Sequence, residues 1–201
     1  MPREVEIKIR LDKTGAKLLQ SWLGKNAEFV KEVHQLEYYL NNPDQSFMFK
    51  HKSGYRDAEK YLRVRSEKGK GSVCLKIFKI DQENNTSENL DEVEFEVSDD
   101  KAALKLLNLI GFSEAVPVDK TRQKYNYKNF EIVIDNVKGL GDFAEFELLD
   151  SDPKANIKSE FERIYQLLRE IGFKKISVQQ RGYISMLWNM NYDFTKTKLL
   201  K

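Results

Sequence analysis

Cysteine is all but missing from this chain. Cys74 stands alone, so an internal disulfide framework and a cysteine-ligated zinc site are both out of reach. Histidine is nearly as scarce: His34 and His51 are the only two, which excludes a multi-histidine metal centre. No apolar run approaches the roughly 18 residues of a membrane span, and Met1-Pro2-Arg3-Glu4 leads into charge without the apolar stretch of a secretory signal. A cytoplasmic location is therefore expected. Neither sign of charge dominates: 34 Lys plus Arg against 32 Asp plus Glu leave a net +2. Nucleic-acid and membrane-surface binders usually carry a one-sided basic excess, so neither partner is expected.

What the chain has in quantity is charge placed with a period of two. Charged residues make up 33% of it, against roughly 25% in ordinary globular domains. Glu4, Glu6, Lys8 and Arg10 alternate with Val5, Ile7, Ile9 and Leu11. The same period returns at Arg63 and Arg65, at Glu92, Glu94 and Glu96, at Lys120, Arg122 and Lys124, and at Glu145 and Glu147. Successive strand side chains point to opposite faces, so each run gives one charged and one apolar face. A single such run is what any half-buried antiparallel strand displays. Five, in the order acid, base, acid, base, acid, suggest charged faces that meet around a polar interior. Carboxylates suit a hard divalent ion, and Arg and Lys neutralise phosphate oxygens, so the pattern fits a metal-bound polyphosphate.

The remaining elements are read around these strands. Three strands run into amphipathic helices: 4–11 into a helix opened by Asp12-Lys13-Thr14 and stopped near Gly24, 92–97 into one capped by Ser98, and 145–149 into one opened by Ser151-Asp152-Pro153 and stopped at Gly172. Further strands are predicted over 34–40, 60–66, 72–80, 119–127 and 130–137, with loops at 41–58 and 81–90. The predicted fold is α+β: a closed or nearly closed antiparallel β-barrel of about eight strands forming a charged tunnel, with helices packed outside. One domain is expected over 1–201, with motifs over about 3–150, a C-terminal helix and strand over about 151–190, and a flexible tail at 191–201.

The ordered motifs carry a resemblance. Glu4-Val5-Glu6-Ile7-Lys8 resembles the ExExK signature of the CYTH superfamily, the triphosphate tunnel metalloenzymes. Leu62-Arg63-Val64-Arg65, Leu75-Lys76, Glu92 to Glu96, Lys120-Thr121-Arg122, Ile134-Asp135 and Gly139 to Glu147 follow in family order. Val137 to Glu145 is most similar to the bacterial class IV adenylyl cyclases, and Gln179 to Tyr183 is similar to their C-terminal Tyr-bearing strand. The resemblance implies that Glu4, Glu6, Glu145 and Glu147 hold a divalent metal, Mg2+ or Mn2+. It further implies that Lys8, Arg63, Arg65, Lys76, Lys120 and Arg122 grip the triphosphate. Glu94, Glu96 and Asp135 would form an acidic wall or a second metal site, and Glu4, Glu6, Lys8, Lys120, Arg122 and Asp135 would serve catalysis.

The implied substrate is a small-molecule triphosphate, ATP or tripolyphosphate. Three readings stay open: conversion of ATP to cyclic AMP and pyrophosphate; hydrolysis of tripolyphosphate or thiamine triphosphate; and a polyphosphate- or nucleotide-binding module without turnover. Both a monomer and a homodimer are compatible with the sequence. The 41–58 segment departs from the compact turn expected there and reads as a mobile surface loop or a lid. Cys74, His34, Trp22 and Trp188 read as packing residues, and Gly139 and Gly141 as turn glycines.

Overall fold

The computed structural model describes residues 5–81, 86–152 and 154–200. Along them run β1 (Glu6–Leu11), α1 (Lys13–Asn26), β2 (Glu28–Asn41), β3 (Met48–Lys50), β4 (Arg56–Ala58), β5 (Lys60–Glu67), β6 (Lys70–Asp81), β7 (Thr86–Val97), α2 (Asp100–Leu109), β8 (Ser113–Tyr127), β9 (Phe130–Val137), β10 (Gly141–Leu148), α3 (Ile157–Ile171), β11 (Lys175–Gln179), α4 (Tyr183–Trp188) and β12 (Thr195–Leu199). The fold is α+β, a large antiparallel sheet with helices, and each strand predicted between residues 6 and 148 is present. The described residues hold twelve strands rather than about eight. The four beyond the predicted eight are β3 and β4, inside the predicted 41–58 loop, β11, inside the predicted C-terminal helix-and-strand region, and β12, inside the predicted tail. Thr86 to Leu90, expected in a loop, extend β7, and Thr195 to Leu199, expected in a flexible tail, pair with β11.

Two compact units form. The first contains residues up to 33, 121–181 and 194 onward; the second contains 34–120 and 182–193. The chain passes between them within β2 and within β8. In the first unit the strand order is β12-β11-β1-β10-β9-β8, and in the second β8-β2-β5-β6-β7, with β3 and β4 a separate pair.

In the first unit, Val5, Ile7, Ile9 and Leu11 are buried in one cluster with Leu19 and Leu23 of α1 and Ile164, Leu167, Leu168 and Ile171 of α3. Each fully buried aliphatic side chain contributes about 1.5–3 kcal/mol. Glu6 and Arg10 are exposed on the opposite face, so the alternation of β1 does what its period predicted. Asp12 caps α1, accepting from the Gly15 N–H at 2.7 Å. Gly24 does not end that helix, which runs on to Asn26 and leaves through an extended Ala27. With no left-handed residue at the exit, glycine has no role there. At α3 the cap is Asn156, beyond the predicted Ser151-Asp152-Pro153 opening, and Gly172 at φ 107° ends it as expected. Gly139 and Gly141, at φ 83° and 99°, make the turn between β9 and β10.

In the second unit, α2 covers β5 and β6: Leu104 and Leu107 pack with Leu40, Leu62, Val64, Val73 and Leu75. Its cap is Asp99, which accepts from the Ala102 N–H at 2.9 Å, rather than Ser98. The 41–58 segment is not a bare loop. It carries the β3–β4 hairpin around a buried His51 stacked on Tyr55 at 4.3 Å. Asn189, just past α4, accepts from the Arg56 N–H at 2.7 Å and donates to the Arg56 carbonyl at 2.8 Å, tying the hairpin down. The predicted Tyr-bearing strand stops at Gln179, and Tyr183 opens α4 instead. No helix among the described residues is long and apolar enough to cross a membrane.

Candidate active site

The first unit gathers carboxylates by register. Glu6 lies opposite Glu147, and Glu147 opposite Glu131, so three adjacent strands present three glutamates in a row. Two positions along the same face, Lys8 lies opposite Glu145. Lys8 Nζ reaches Glu145 Oε1 at 3.0 Å, and Arg122 Nη2 reaches Glu145 Oε2 at 2.7 Å, so Glu145 sits between two cations. Arg122 also donates from Nε to Asp135 Oδ1 at 2.8 Å and from Nη2 to Oδ2 at 2.5 Å. Asp135 is completely buried, and the two-point contact with Arg122 compensates its charge. Burial pushes the Lys8 ammonium toward neutrality, but Glu145 and Glu6 outweigh it and hold its pKa above the usual lysine value. Glu6, Glu131, Glu145, Glu147, Arg122 and Val133 line a cavity of about 100 Å³. Lys124 pairs with Glu131 at its margin.

The second unit gathers cations around a buried acid. Glu37, 1% exposed, receives Arg65 Nε at 2.9 Å, Lys120 Nζ at 3.1 Å and Arg63 Nη1 at 3.7 Å, all on Oε1. Burial alone would raise its pKa, yet Lys120, Arg63 and Arg65 together pull it down to about 2. Arg63 also reaches Glu94 at 3.3 Å, Ser72 donates to Glu94 at 2.6 Å, and Lys76 pairs with Glu92 at 2.9 Å. Burial likewise works against the charged Glu94, and the Ser72 hydroxyl, Arg63, Arg65 and Lys76 prevail, lowering its pKa.

The predicted site residues thus fall into two sets. Glu6, Lys8, Arg122, Asp135, Glu145 and Glu147 come together in the first unit. Arg63, Arg65, Lys76, Lys120 and Glu94 do so in the second, where Glu96 is exposed and enters none of the pairs just named. Glu4 lies outside the described residues. Sequence reasoning missed Glu37 and Glu131. Glu37 shares a face of β2 with Tyr39, and Glu131 shares a face of β9 with Val133 and Asp135; that period of two was the available signal.

Two groups of potential ligands differ in their fit to a metal. Cys74, Glu92 and Glu94 bring one ligand atom each within 4.8 Å of one another. Burial pushes the Cys74 thiol up to about 11, so it is a neutral thiol near pH 7, and both glutamates are engaged by Lys76 and Arg63. The glutamates lining the cavity of the first unit are all hard oxygen donors, the chemistry that Mg2+ or Mn2+ prefers.

A family model described as "CYTH domain" matches residues 2–183. A Methanocaldococcus jannaschii protein named "putative adenylate cyclase" is 30% identical over 183 residues, 91% of this chain and 97% of that protein. The solved structure of the PH1012 protein of Pyrococcus horikoshii aligns at a TM-score of 0.67 and 27% identity, covering 90% of this chain and 98% of that one. A Hippeastrum protein, titled a "putative adenylyl cyclase" with a dominant triphosphatase activity, aligns at 0.61 and 16% identity over 92% and 94%, a likeness of fold alone. With the family match running through the strands of both units, the chain belongs to the CYTH domain family.

Proposed function

We propose that this protein is a metal-dependent enzyme of the cytoplasm that cleaves a triphosphate, and that its reaction is the conversion of ATP to cyclic AMP and pyrophosphate. The observation that carries the proposal is the carboxylate-lined cavity of the first unit, flanked on the same face by Lys8 and Arg122. Glu6, Glu145 and Glu147, with Glu4, would hold Mg2+ or Mn2+, which when bound polarises phosphoryl oxygens and lowers the pKa of a nucleophile.

The chain's own cations carry the rest. Lys8 and Arg122 beside that cavity would bind phosphate oxygens and stabilise the charge that grows on the departing group, and Arg63, Arg65, Lys76 and Lys120 of the second unit are further cations suited to phosphate oxygens. In cyclisation the ribose 3′-oxygen bonds to the α-phosphorus, the bond from that phosphorus to the bridging oxygen breaks, and pyrophosphate leaves. The second reading is hydrolysis, in which water attacks the terminal phosphorus of tripolyphosphate or thiamine triphosphate. The triphosphatase activity of the Hippeastrum protein favours keeping it, since the same fold carries it there. With the activity goes the architecture that the family implies: one domain, a closed or nearly closed barrel and a charged tunnel. The test is product analysis with ATP and tripolyphosphate side by side, in magnesium and in manganese. Cyclic AMP with pyrophosphate selects the cyclase, orthophosphate the hydrolase, and no product from either substrate overturns the proposal.

A further inference from the structure

One end of the cation-bearing face in the second unit is built of aromatic rings. Tyr61 precedes Arg63 and Arg65 on β5 at the same period of two, so all three leave one face, and Lys76 lies opposite Tyr61 in register. Tyr39, opposite Arg63, meets the Tyr61 ring edge-on at 6.0 Å, and Phe78 does so at 5.6 Å. Trp188, the last residue of α4, lies nearly parallel to Tyr61, 24° between planes and 6.1 Å between centroids. All four rings are half-buried, unlike the closed clusters under the helices.

Their positions are fixed. The Tyr61 hydroxyl is hydrogen-bonded to Asp57 Oδ1 at 3.2 Å and to Ser185 Oγ at 3.1 Å. Asn189 donates to the Ser185 carbonyl at 2.8 Å while it holds the β3–β4 hairpin, which anchors the turn that carries Trp188. Aromatic faces carry the negative side of a quadrupole and offer phosphate oxygens nothing. A face built only for inorganic polyphosphate would continue in cations.

We infer that Tyr61 and Trp188, flanked by Tyr39 and Phe78, seat a planar heteroaromatic ring attached to the triphosphate. They would therefore select a ring-bearing triphosphate over inorganic tripolyphosphate. This rests on the triphosphate reading above.

The test uses the full chain with Trp22→Phe, which leaves Trp188 as the one tryptophan. Magnesium complexes of ATP, thiamine triphosphate and tripolyphosphate are titrated while Trp188 emission and calorimetric affinity are followed. At least one ring-bearing ligand should quench the emission, and tripolyphosphate should not; which one quenches identifies the ring. Trp188→Ala should lower the affinity for that ligand, relative to tripolyphosphate, on the order of tenfold, with Trp188→Phe retaining most of it. If the alanine variant fails to fold, the emission titration and the phenylalanine variant decide. Binding of all three ligands with no quenching and an unchanged affinity ratio would overturn the ring seat and leave the triphosphate reading intact. No binding by any of the three would overturn both.

Discussion

Glu37 is a carboxylate with three cations on one oxygen and almost no water, and its charge is what keeps Arg63, Arg65 and Lys120 together. Its pKa falls from 4.5 to about 2 on folding, so the unfolded chain binds the proton more tightly. Its contribution is therefore complete above pH 4.5 and is lost as the pH drops through 2, on the order of 3 kcal/mol in all. Glu37→Gln should remove that slope from a plot of unfolding free energy against pH. At neutral pH it should destabilise the protein by about 3–5 kcal/mol, because three cations lose their anion; urea titrations at pH 7, 4.5 and 3 read both effects. At the cavity of the first unit, Glu6→Gln and Glu147→Gln keep shape while removing an anion. Metal-dependent turnover should vanish in each with thermal stability equal or higher, and wild-type turnover in both would reject them as ligands. Arg65→Ala should weaken tripolyphosphate binding by one to two decades, from about 1.5–3 kcal/mol of lost charge-assisted contact, and monophosphate binding much less. Arg122→Ala is a poorer probe of binding, because it also removes the two-point contact that Arg122 makes to the buried Asp135.

At the scale of the element, two helical glycines make opposite demands. Gly24 lies inside α1 with open space where a Cβ would go, whereas Gly172 ends α3 at φ 107°. Gly24→Ala should stabilise the protein by about 0.8–1 kcal/mol, since alanine is the better helix former. Gly172→Ala should cost about 1–2 kcal/mol, because a Cβ at that φ crowds the next carbonyl. Equal shifts of the urea midpoint in the same direction would mean that the two exits had been assigned wrongly. The strands β6 and β7 illustrate a different point: the polar residues at 81–90 look like a loop by composition, but pairing across a hairpin extends both strands through most of them. Pairing supplies hydrogen bonds that do not depend on side-chain polarity.

At the scale of the whole molecule, near-neutral net charge conceals strong local fields, acid in the first unit and base around a buried acid in the second. Ligands that satisfy those fields should stabilise the folded state by linkage, about 2.7 kcal/mol at a hundredfold excess over Kd. Manganese should raise the thermal midpoint, tripolyphosphate should raise it further, and a chelator should cancel the manganese increment. A midpoint indifferent to both ligands would contradict the proposed site.

The sequence by itself determined which side of β1 is charged, where the main helices lie and which family the chain belongs to, because periodicity and motif order are properties of the chain itself. It could not determine register. That Glu131 stands beside Glu147, that Glu37 binds arginines 26 and 28 residues away and a lysine 83 away, and that Trp188 stacks on Tyr61 follow from pairing and packing between distant segments. Only the tertiary structure decided those neighbours, since alternation gives a side chain its face but not its partner across the sheet.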